Sequence, residues 1–92
     1  MLTVHKFPVP VGNYFDVELP AGAKVLTVDV QRGHAQLWAL VETEHRTETR
    51  RFRFAGTGHP IEEKIEDLRF VNTFQVEGGS LIFHIFEVVK AS

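Results

Sequence analysis

The 92-residue chain contains no cysteine. Neither a disulfide framework nor a thiolate metal site is open to it. Serine is almost as scarce, with only Ser80 in a glycine-rich turn and Ser92, and neither has an evident base and orienting partner for nucleophilic attack. No apolar run approaches the ~18 residues of a membrane span, and the first residues lack the apolar core of a secretory signal. A soluble protein made where it works, with no membrane partner, is the expectation. A basic excess is missing as well: the net charge is −2. Affinity for duplex nucleic acid rests on neutralising phosphates, so the charge balance argues against that partner while leaving a local basic patch open. The histidines, His5, His34, His45, His59 and His84, are dispersed. None is at ligand spacing from another, so no metal and no cofactor is expected.

What is present reads as a single β domain over residues 1–92. Hydrophobic residues make up 43% and charged residues 24%, the balance of a globular protein. A chain this short buries only about 60–65% of its unfolded surface, which leaves a thin margin of stability. Leu2, Val4 and Phe7 suggest an edge strand stopped by Pro8 and Pro10. Phe15, Val17 and Leu19 alternate with Tyr14, Asp16 and Glu18 as a half-buried strand. Arg32-Gly33 reads as a two-residue hairpin loop pairing Val30 with Ala35, Val28 with Leu37 and Leu26 with Ala39. A four-residue loop at Glu44–Thr47 would then set Ala39 against Phe52 and Trp38 against Arg53. Gly78-Gly79 signals a further hairpin that pairs Val76 with Leu81, Phe74 with Phe83 and Asn72 with Ile85. The strand from Leu81 is apolar on both sides and belongs at a sheet centre or under a partner chain. Pro60–Asp67 is long enough for one helical turn with proline at its start. The expected fold is therefore all-β: a small antiparallel sandwich or partly open barrel of about seven strands, with one short helical turn near residues 60–67. Several strands are apolar on both faces, which favours a homo-oligomer, a dimer or higher.

Two features bear on chemistry. In Gly56-Thr57-Gly58-His59, alternate glycines let backbone N–H groups point into one concavity, a nest for phosphate or carboxylate. The same residues, closed by Pro60, equally make a tight connection. Arg51 and Arg53 share a face with Trp38 in the register above, forming a receptor for an aromatic anion such as a nucleotide. They serve as well as a cation–π cover for the tryptophan or as interface anchors. His84, opposite Thr73, reads as a hydrogen-bonded sheet histidine. The acidic run Glu62, Glu63, Glu66 and Asp67 reads as a solvated turn rather than paired catalytic carboxylates. No catalytic residue is assigned, and the chain is not expected to be an enzyme.

The pattern Leu37-Trp38-Ala39-Leu40-Val41, Glu48-Thr49-Arg50-Arg51-Phe52-Arg53 and Gly56-Thr57-Gly58-His59-Pro60-Ile61 resembles a family of small uncharacterised proteins of bacteriophages and prophages. The resemblance spans nearly the whole chain and carries no activity. It implies an accessory protein acting by binding in the host bacterial cytoplasm, with counter-defence as one such role. The specific expectation is sequestration of a phosphorylated small molecule or nucleotide signal by Trp38, Arg51, Arg53, Gly56, Thr57, Gly58 and His59. The alternatives are a protein–protein inhibitor of a host protein and a minor virion component.

Overall fold

A computed structural model describes residues 1–89. Seven strands follow one another as β1 (Leu2–Pro8), β2 (Tyr14–Pro20), β3 (Lys24–Gln31), β4 (His34–Glu42), β5 (Thr47–Gly56), β6 (Leu68–Val76) and β7 (Leu81–Val88). They form two antiparallel sheets, β1-β4-β3 and β2-β5-β7-β6, and do not close into a barrel. The all-β sandwich is as expected, and β7 is indeed central. The helical turn expected near residues 60–67 is only a three-residue 3-10 turn, Ile65–Asp67. A second one, Glu77–Gly79, shapes the β6–β7 connection. Among the described residues, no helix is long and apolar enough to cross a membrane.

Strand alternation builds the core. Phe15, Val17 and Leu19 of β2, Leu37, Ala39 and Val41 of β4, and Phe52 and Phe54 of β5 all turn inward and are buried. Phe15 stacks on Phe52 with ring centroids 5.0 Å apart, and Phe54 meets Phe83 at 4.8 Å. Burying each such ring contributes about 1.5–3 kcal/mol.

Arg32 (φ 52°) and Gly33 (φ 80°) both take the left-handed conformation that a twisted two-residue hairpin needs, and Val30 and Val28 pair as expected. Beyond Thr27 a bulge at Leu26 brings Val25 against Ala39 instead, and leaves Leu26 exposed. In the β6–β7 hairpin the expected pairs hold from Val76–Leu81 to Asn72–Ile85, after which a bulge at Val71 sets Phe70 against Phe86. Bulges add an unpaired residue and bend the strand. Here they bring the edges β3 and β6 together, and Asn72 joins them. Its side-chain amide accepts the Val28 N–H at 2.9 Å and donates to the Val28 carbonyl at 2.8 Å.

The β4–β5 pairing expected from the hydrophobic pattern does not form. β4 lies between β1 and β3, and β5 between β2 and β7. Pairing with β1 puts Phe7 beside Leu37, while pairing β5 with β2 stacks Phe52 on Phe15, so both apolar faces meet across the sandwich. The connection after β4 is thus a link between sheets rather than a hairpin. Trp38 and Arg53 consequently lie on the outer faces of different sheets.

Candidate functional site

Arg51 and Arg53 stand on the outer face of the four-stranded sheet, either side of Tyr14. Their guanidinium carbons are 4.5 and 5.3 Å from the tyrosine ring centroid. β5 and β6 are parallel with β7 between them, so the chain must cross over to join them. The crossing segment passes above Arg53 and leaves it 5% exposed. Arg53 donates from Nη1 to the carbonyls of Asn13 (3.0 Å) and Phe54 (2.7 Å), and from Nη2 to that of Pro60 (2.9 Å). Tyr14 donates its hydroxyl to Glu63 Oε2 at 2.6 Å. That bond pushes the Tyr14 pKa up and holds the Glu63 carboxyl down, helped at Glu63 by the charges of Arg53 and Arg51. Arg51 reaches Asp16 at 3.3 Å across the strand pair, an exposed contact worth little. The small cleft left over Arg53, about 220 Å³, also includes His59 and Glu62. Arg53 is engaged by three carbonyls, with two glutamates alongside, and so fastens the crossing segment to the sheet.

The glycine loop is a tight turn closed by the His59 N–H to the Gly56 carbonyl at 3.1 Å. Gly58 has φ +87°, a conformation that suits glycine. The His59 ring lies where a side chain on residue 56 would project, 3.1 Å from that position. The Thr57 N–H turns to the Ile82 carbonyl at 3.4 Å, so two of the nest's donors are already used. Thr57 Oγ1 lies 2.7 Å from Nε2 of His84, whose Nδ1 is 2.8 Å from Thr73 Oγ1. Of the residues expected to form one site, the structure brings together Arg51, Arg53 and His59. Thr57 is drawn to His84, and Trp38 stands apart on β4 between Lys6 and Thr27.

A larger cleft, about 370 Å³, opens between the β2–β3 turn and the start of β6, and sequence reasoning did not assemble it. Arg50 is in phase with Phe52 and Phe54 and therefore points to the inner face. Glu87 is in phase with Phe83 and Ile85 and meets it there. Arg50 donates from Nε and Nη2 to the two Glu87 oxygens at 2.6 and 2.8 Å, and from Nη1 to the Ala23 carbonyl at 2.5 Å. The Glu87 bond raises the Arg50 pKa, against burial, and keeps the guanidinium charged. Glu87 is 6% exposed. Arg69 approaches the same carboxylate at 3.7 Å from a solvent-facing position, and Lys24 completes the rim. Two arginines thus approach Glu87, and a second carboxylate, Glu48, in phase with Arg50 on β5, adds to the negative charge beside Arg50 and accepts the Gly22 N–H at 3.3 Å. Phe70 borders the cleft but turns its ring to Phe86 on the outer face, with centroids 5.6 Å apart. The signal that could have found this site is a charged residue in phase with core phenylalanines on each of two strands.

A family model described as Domain of unknown function (DUF7352) matches residues 1–92, and the chain belongs to that family. No curated protein and no solved structure matches it.

Proposed function

We propose that this member of the DUF7352 family is a non-enzymatic binding protein that holds a small phosphorylated molecule in the cleft of Lys24, Arg50, Arg69 and Glu87. The observation that carries the reading is the pair of accessible cations, Arg69 and Lys24, at the mouth of a cleft whose inner wall is the mutually neutralised Arg50–Glu87 pair. Arg50 is pinned by its partners, while Arg69 and Lys24 remain accessible for phosphate oxygens. The cleft presents no nucleophile, and its one carboxylate is engaged by arginine, so retention rather than turnover is the chemistry it supports. The ligand class expected from sequence is kept, and the residues that hold it are different. The resemblance to phage and prophage proteins adds a setting, capture of a phosphorylated signal in an infected bacterial cytoplasm as a counter-defence.

Thermal-shift titration with inorganic phosphate, pyrophosphate and a panel of mono- and dinucleotides tests this. A ligand at about 100 times its Kd adds about 2.7 kcal/mol by mass action, a rise on the order of 10–20 °C for a domain of this size. A Lys24→Glu/Arg69→Glu protein should keep its unliganded melting temperature within a few degrees and lose the response. A panel that shifts neither protein sinks the reading, as does a response that survives the double substitution.

A further inference from the structure

Among the described residues, the sandwich has two free sheet edges, β1 and β2, because β3 and β6 are joined through Asn72. The Val9 N–H donates to Ala35 and the Thr43 N–H to Met1, so the odd-numbered residues of β1 face β4. Leu2, Val4 and Lys6 therefore turn their N–H and C=O groups outward, and Pro8 falls where an outward N–H would otherwise be lost to solvent. On β2 the Phe54 N–H donates to Asn13, which turns Tyr14, Asp16 and Glu18 outward. Acidic side chains guard that edge. On β1 the lysine is drawn away, Lys6 Nζ reaching Gln31 Oε1 on β3 at 2.7 Å, and Pro8 blunts only the end of the strand. Leu2 is 64% and Val4 49% exposed, and they continue into half-buried Leu40 and Trp38 across the outer face.

We infer that the chain forms a two-fold dimer by antiparallel pairing of β1 with β1 of a second copy, about an axis at Val4. In this register Val4 lies opposite Val4 of the second copy and Leu2 opposite Lys6. Every pair then has both backbone donors. An axis at His5 brings Pro8, which has no N–H, into two of the pairs. An axis at Lys6 likewise sets Val4 opposite Pro8 in two of the pairs, while the Lys6 ammonium itself is drawn across β4 to Gln31 Oε1 at 2.7 Å. The Val4 register also runs the Leu2, Val4, Leu40 and Trp38 stripe from one copy into the next, giving a six-stranded sheet with no open edge between the copies. This surface is separate from the Arg50 cleft.

Sedimentation equilibrium and native mass spectrometry of the wild type and Val4 variants test it. The wild type is expected to be dimeric in the micromolar range. Val4→Pro removes an N–H that points away from β4, so each copy loses one inter-copy bond and association weakens by about tenfold or more. Val4→Lys and Val4→Glu proteins should each be monomeric, and a one-to-one mixture should restore a heterodimer. Circular dichroism confirms that each variant is folded. A monomeric wild type overturns the inference, as does a dimer indifferent to Val4→Pro or a charge-swapped mixture that stays monomeric.

Discussion

Arg50 and Arg53 lie three residues apart on one strand and have opposite surroundings. Arg50 points into the sandwich and is held by a carboxylate, while Arg53 points out of it and is held by three neutral carbonyls beneath a crossing segment. Both are withdrawn from water, but only the first stands among accessible cations. A guanidinium satisfied by backbone under a roof is a fastener. One held by a carboxylate and a single carbonyl, with another arginine and a lysine at the mouth of its cleft, stands beside accessible positive charge. What occupies the donors separates the two arginines, which sequence context makes look alike, and the proposed binding role rests on that difference.

The largest expected effect breaks the Arg50 side. Arg50→Met leaves Glu87 nearly buried and without its bidentate partner, which should cost about 3–5 kcal/mol in urea denaturation. Adding Glu87→Leu to Arg50→Met should recover most of that loss, because well-packed apolar residues can replace a buried pair at little cost. A double variant as unstable as the single one would show that Arg50 acts through packing and not charge.

Arg53→Met should cost somewhat less, about 2–3 kcal/mol, since three carbonyls lose a donor but no charge is stranded. Its distinguishing consequence is local. Amide exchange should accelerate across residues 57–64 more than across β7, because the side chain that ties Pro60 to the sheet is gone. Uniform acceleration would mean that Arg53 supports the whole sheet rather than the roof.

How far the sequence reveals this contrast follows from chain separation. Alternation in β2 and the turns at Arg32-Gly33 and Gly78-Gly79 are local, and their registers near the loops are as the residues imply. The bulges at Leu26 and Val71 are not legible, because each lies beside another apolar residue and the pattern reads equally well in either phase. The pairing of β4 with β1 joins residues some 30 to 40 apart, and nothing in the short-range pattern weighs it against pairing with β5. That one long-range choice dispersed Trp38 from the arginines. Arg50 shares the phase of Phe52, so its inward direction is legible. Its meeting with Glu87 depends on β5 lying beside β7, which only the assembled sheet supplies.

The smallest expected effect sharpens the roofed side. Tyr14→Phe removes the hydroxyl bonded to Glu63 and should cost about 1 kcal/mol near neutral pH. The Glu63 carboxyl is held below its ordinary 4.5 chiefly by that bond, so the folded state favours its ionised form. The contribution is therefore complete above the ordinary value and is lost as pH falls through the lower folded one. Tyr14 is shifted upward from 10.0 by the same bond, so its contribution is complete below that value and fades as pH rises through the folded one. The stability difference between wild type and Tyr14→Phe should thus be flat between these limits and shrink at both ends. A difference that persisted unchanged well below pH 4.5 would show that the tyrosine hydroxyl is held by something other than the Glu63 carboxylate, and that Arg53 alone fastens the roof.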